Sequence, residues 1–156
     1  MSASSDVGAK LRDSRRTVAV AESCTGGRLG DALTDAPGSS DYFIGGVISY
    51  SNDAKVDLLG VDRSVILEEG AVSEKAAGMM AQGVMRLFGA DVGIGITGIA
   101  GPTGATPTKP IGLVYVAVCS PERTECVRYV FEGTRTSVKD QAVARAIQLL
   151  SSFLDG

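Results

Sequence analysis

TVAVAESCTGG, residues 17–27, is the stretch that decides the fold. Its first part, Thr17-Val18-Ala19-Val20-Ala21, is a continuous apolar run, as expected of a strand buried on both faces. Its second part, Glu22-Ser23-Cys24-Thr25-Gly26-Gly27, packs a carboxylate, two hydroxyls, a thiol and two glycines into six positions. Gly26 to Leu33 then predicts a helix, with Thr25 as its N-cap. The first N–H groups of a helix lack internal partners and carry partial positive charge, so an oxyanion or phosphate is well placed beside them. Gly26 and Gly27 would let a ligand approach the backbone closely. Ser23 is therefore a candidate nucleophile, as in a nucleophile elbow, although Ala21 stands where that motif has glycine. Cys24 is the rival nucleophile, since thiolates form readily at helix starts. A plain capped helix start with a structural thiol is the other reading.

Outward from this junction, residues 4–15 predict a short helix or a loose arm. Ala36 to Ser40 is a loop, and Phe43 to Tyr50 is a second strand. Ser51 caps a short helix that Gly60 ends, and another runs from Ser64 to Glu69. A long helix from Ser73 to Phe88 carries apolar residues every three to four positions and stops at Gly89. Ala90 to Thr97 is a strand. Ile111 to Cys119 and Glu125 to Phe131 are two more, and their short connection predicts antiparallel neighbours. A last helix covers roughly 136–153. Alternating strands and helices imply an α/β fold, a three-layer α/β/α sandwich with a mixed, mostly parallel sheet. Ligands of such sheets bind beyond the carboxyl ends of the strands, where residues 22–27 and 97–112 lie.

The 156 residues fit one domain, 1–156, and 44% are apolar, ordinary for a globule that needs no metal or disulfide. A net charge of −3 gives no footprint for nucleic acid. No apolar stretch approaches the ~20 residues that span a bilayer. MSASSDVGAK lacks the regions of a signal peptide, so a cytoplasmic location is expected. Three cysteines without a CxxC predict no zinc site, and Cys119 and Cys126 read as inert core thiols. There is no histidine, so proton transfer near neutral pH needs a side chain with a displaced pKa.

YSNDAK, residues 50–55, supplies one. Lys55 falls near the positive end of the helix capped by Ser51, which disfavours its charged form, more so if it is desolvated. A neutral lysine can take a proton from a serine hydroxyl. Its other reading is a surface lysine paired with Asp53 or Asp57. Tyr50 orients the lysine or packs in the core; Ser51 and Asn52 bind ligand or cap. TGIAGPTGATPTKPIG, residues 97–112, is a loop able to line a pocket with N–H groups, beginning with Thr97 and Gly98. It lacks both the Walker spacing and GxGxxG, so hydrolysis of nucleoside triphosphates is poorly supported. Arg135 could grip a carboxylate or phosphate bidentately.

Together these segments resemble the C-terminal domain family of the competence/damage-inducible protein CinA. The matching blocks are ESCTGG at 22–27, PGSSDYF at 37–43, YSNDAK at 50–55, LGV at 59–61, GAVSE at 70–74, TGIAGPTG at 97–104, KPIG at 109–112 and the G-x-R of 133–135. The family's enzymatic members are nicotinamide-nucleotide amidohydrolases, which convert nicotinamide mononucleotide to nicotinic acid mononucleotide and ammonia. The resemblance implies Ser23 as nucleophile, Lys55 as general base and Tyr50 close by. It implies a substrate site with Thr97 and Arg135, to which Thr25, Gly26, Gly27, Asn52 and Gly98 are added as candidates. It implies no metal or organic cofactor, and a homodimer or higher homo-oligomer. Many members carry an extra N-terminal domain, for which this chain lacks room, so a stand-alone form is expected. Ala105 replaces the last glycine of the family's GPxGG, and Lys139 stands where the final helix often has a second arginine; both bear on substrate affinity. The alternative is a nucleotide-binding or regulatory module with the same pocket and no reaction.

Overall fold

The computed structural model describes residues 2–156. Its sheet has five strands: β1 (Val18–Glu22), β2 (Phe43–Ile48), β3 (Val92–Gly98), β4 (Leu113–Cys119) and β5 (Thr124–Val130). They lie in the order β2-β1-β3-β4-β5. β1 is parallel to both of its neighbours, while β3–β4 and β4–β5 are antiparallel. Four strands thus point one way and β4 alone runs against them. The sheet is the mixed one expected, with its pairings divided evenly between the two kinds.

The two faces of the sheet differ in side-chain size, and that difference assigns the helices. Val18, Val20, Val92, Ile94, Ile96, Val114, Val116 and Val118 fill the core under α1 (Ala3–Ser14), α2 (Arg28–Thr34) and α6 (Arg135–Asp155). The opposite face presents Ala19, Ala21, Gly93, Gly95 and Ala117 to α5 (Glu74–Phe88). Small residues there let α5 lie with its backbone almost on the sheet. A Cβ on Gly93 would come within 2.1 Å of the Ala81 carbonyl, and one on Gly95 within 2.4 Å of the Ala77 carbonyl. The short helices α3 (Asn52–Leu59) and α4 (Arg63–Glu69) pack beside α5 and complete the third layer.

The open choice at the N-terminus resolves to a helix. Ser2 caps α1 by accepting from the Ser5 N–H, and Val7 and Leu11 are fully buried. Ser51, Ser73 and Thr134 cap α3, α5 and α6 through their hydroxyls, as short polar residues before helices do. Left-handed Gly60 and Gly89 end α3 and α5. The prediction for α2 needs correcting. It starts at Arg28, and the position before it is Gly27, with φ of 110° and no side-chain cap. Thr25 is not the cap.

Since helix and strand backbones touch at Gly95, Gly95→Ala is expected to destabilise the fold by about 2–3 kcal/mol through overpacking. A thermal melt should show it as a drop of roughly 5–10 °C.

Candidate functional site

Ser23 is the first residue past β1, and its N–H continues the sheet by donating to the Ile96 carbonyl at 3.0 Å. Ser49 is the first residue past β2 and donates its N–H to the Glu22 carbonyl at 2.7 Å. Thr97 and Gly98 close β3. The carboxyl ends of three parallel strands thus meet at one place, as expected of such sheets. α3 leaves this rim, and Lys55, in its first turn, reaches back under it.

The lysine is 1% exposed. Its Nζ lies 2.9 Å from Ser23 Oγ, 2.6 Å from the Ser49 carbonyl and 3.1 Å from the Tyr50 carbonyl. Neither Asp53 nor Asp57 pairs with it; Asp53 pairs with Arg63. Burial without a carboxylate partner lowers its pKa from 10.5 to about 8, against a smaller upward pull from Cys24. Of the two causes considered from the sequence, desolvation rather than the helix dipole leads this shift. The two carbonyls accept two N–H groups. In the neutral amine the remaining position, facing Ser23, is the lone pair.

A cavity of about 300 Å³ opens above this pair. Ser23, Lys55, Tyr50, Asn52, Thr97, Gly98 and Arg135 all line it. Thr97 is buried and donates its hydroxyl to the Ala71 carbonyl at 2.9 Å, fixing the turn before α5. Arg135 donates to the Gly101 carbonyl at 2.7 Å and to the Tyr50 hydroxyl at 3.2 Å. Tyr50 is 62% exposed, so its ring stands at the mouth and only its main-chain carbonyl holds the lysine. Thr103 and Gly104 add a wall from the glycine-rich loop.

Thr25, Gly26 and Gly27 lie outside the cavity, and here the expectation is corrected. Thr25 is fully buried and donates its hydroxyl to Glu22 Oε1 at 2.6 Å. The Gly26 N–H is used by the Ser23 carbonyl and the Gly27 N–H by Glu22. The N–H groups of Cys24 and Thr25, in contrast, have no acceptor among the described residues. Sequence reasoning missed Glu22, Ser49 and the Ala71–Val72 wall. The carboxylate in ESCTGG was visible, but its reach to α2 was not.

Cys24 also lines the cavity, yet burial pushes its thiol up to about 11, despite downward pulls from its own backbone N–H, Lys139 and Lys55. It is therefore protonated at neutral pH and a poor nucleophile. Lys139, one turn along α6 from Arg135, makes no ion pair among the described residues. Its Nζ lies 3.8 Å from where a Cβ on Gly26 would stand.

Fold and site together define an α/β sandwich with a serine–lysine pair at the carboxyl ends of its parallel strands. The chain belongs to the CinA C-terminal domain family, whose sequence profile matches residues 1–154. It is 51% identical over 142 residues to a CinA-like protein of Mycolicibacterium gilvum, covering 90% of this chain and 34% of that protein. It is 43% identical over 146 residues to a CinA-like protein of Thermotoga maritima, covering 94% of this chain and 36% of that one. The chain thus spans about a third of the length of these curated relatives. A crystal structure of a competence-damaged protein (CinA) superfamily protein from Klebsiella pneumoniae superposes with a TM-score of 0.95 at 33% identity, covering 98% of this chain and 96% of that one. The competence/damage-inducible protein of Agrobacterium tumefaciens gives 0.88 at 32% identity, covering 100% and 98%.

The buried amine makes stability depend on pH. Its folded pKa lies below the unfolded one, so between pH 8 and 10.5 the unfolded chain binds more protons and stability rises with pH. The thiols of Cys24, Cys119 and Cys126, pushed up to about 11, 11 and 12 by burial, act in the opposite sense above pH 9. The quantity to measure is therefore a difference. Across that window, urea unfolding of wild type minus Lys55→Met should rise by about 3 kcal/mol.

Proposed function

We propose that this chain is a serine amidohydrolase that deamidates nicotinamide mononucleotide to nicotinic acid mononucleotide and ammonia. The observation that carries this reading is the 2.9 Å contact between Lys55 Nζ and Ser23 Oγ, at the floor of a cavity. Family membership supports the choice of substrate.

Neutral Lys55 takes the Ser23 proton while Oγ attacks the carboxamide carbon, whose attached pyridinium ring withdraws electrons from it. The developing oxyanion accepts from the free N–H group of Cys24, which lines the cavity and follows the nucleophile as in other serine hydrolases. Protonated Lys55 then gives its proton to the amide nitrogen as the C–N bond breaks and ammonia leaves. Water attacks the acyl-enzyme, Lys55 takes its proton, and the proton returns to Ser23 Oγ as the acid departs. The cavity lies at the small end of the range for ligand sites and suits the pyridine ring. The phosphate reaches the mouth, where Arg135 supplies positive charge and Thr103 and Gly104 add wall, with Lys139 one turn further along α6.

Ammonia release from nicotinamide mononucleotide by the purified protein tests this directly. Ser23→Ala should lower kcat by about 10³-fold or more, as loss of a nucleophile does. Cys24→Ser should keep most of the activity. Loss in the second variant with survival of the first would transfer the reaction to the thiol. Calorimetric binding with no product would instead support a regulatory module.

The pH profile is a separate check. Because Lys55 must be neutral to act, kcat/KM should follow a single limb with an apparent pKa of about 8. Below it the rate should fall about tenfold per pH unit.

A further inference from the structure

We propose that Glu22 is a positioning residue for Ser23: its buried carboxylate staples the turn that carries the nucleophile to the start of α2. The inference rests on the serine–lysine reading above and adds to it a residue that touches neither substrate nor reacting atoms.

Glu22 is the last residue of β1 and is 2% exposed. No basic side chain pairs with it among the described residues. Its charge is met by four donors instead. Oε1 accepts from the Thr25 hydroxyl at 2.6 Å, the Gly27 N–H at 3.2 Å and the Leu29 N–H at 2.9 Å. Oε2 accepts from the Gly30 N–H at 3.0 Å. A carboxylate has room for four such bonds and a carboxamide does not. Bonds to an ionised acceptor are roughly twice as strong as neutral ones. A cap of ordinary helix stability would come from a short side chain at position 27, where glycine stands instead.

Ser23 lies between this strand residue and the turn Cys24-Thr25-Gly26 that the carboxylate ties down. Its own N–H is held by Ile96 and its carbonyl by Gly26. The main chain of Glu22 also reaches the base. Its carbonyl accepts from the Ser49 N–H, and the Ser49 carbonyl accepts from Lys55 Nζ at 2.6 Å. Side chain and main chain of one residue thus set both sides of the 2.9 Å contact. Since Glu22 takes the N–H groups of Gly27, Leu29 and Gly30, the main chain at the start of α2 is not free for a substrate phosphate, which leaves Arg135 in the cavity wall for that role.

Glu22→Gln keeps the shape but turns an NH₂ group against an N–H or hydroxyl donor, so the turn must shift. The test is the reaction of Ser23 with a fluorophosphonate, which reports nucleophile geometry without the nucleotide. In Glu22→Gln the labelling rate should fall about a hundredfold, the cost of a displacement on the order of 1 Å. The end-point should stay at one label per chain, and kcat for deamidation should fall in step with KM unchanged. Thr25→Val, which removes one of the four bonds, covers the case in which Glu22→Gln does not fold; its rate should fall about tenfold. Wild-type rates in the variants, or a lowered end-point at a wild-type rate, would overturn the positioning role. Absence of labelling in the wild-type protein would instead overturn the serine–lysine reading and take this inference with it.

Discussion

An amine taken out of water with no carboxylate beside it is the constraint around which this molecule is arranged. Lys55 has three near neighbours, two of them main-chain carbonyls and the third the Ser23 hydroxyl. Such an environment disfavours charge and favours a base. Holding it requires that β1 and β2 end side by side, that α3 turn back under their rim, and that Ser51 start α3 at the position that sends residue 55 inward. In a chain without histidine, burial supplies what a histidine's ordinary pKa would have supplied.

The sheet supports this arrangement through the unequal size of its faces. Large β-branched residues fill one side and alanines and glycines the other, so α5 lies close against β3 and β1. That closeness brings the turn before α5 to Thr97, and Ala71 with Val72 then walls the cavity. A larger residue in the strand would lift α5 and open the pocket from behind.

Much of the architecture was legible in the sequence because it rests on local chemistry. The helix stops at Gly60 and Gly89, the cap at Ser51 and the terminal hairpin all follow from residues within a few positions. Ser23 and Lys55 could each be singled out, but not their contact, which depends on the register of β1 against β2. The start of α2 misled for the same reason. Thr25 looks like an N-cap when only its neighbours are considered, whereas the carboxylate that serves α2 sits three residues earlier, on the strand. The pull on Lys55 was foreseen from the helix end and from desolvation, while the burial that leads it depends in part on Ser23, 32 residues away in sequence.

One consequence follows from the way the amine is gripped. The atoms of Ser49 and Tyr50 that hold it belong to the peptide backbone, so exchanging either side chain leaves those acceptors in place. The ring of Tyr50 is thereby released from any duty toward the base. With Asn52 and the loop around Gly104, it forms a rim that evolution or design could rewrite while the serine–lysine contact beneath stays intact.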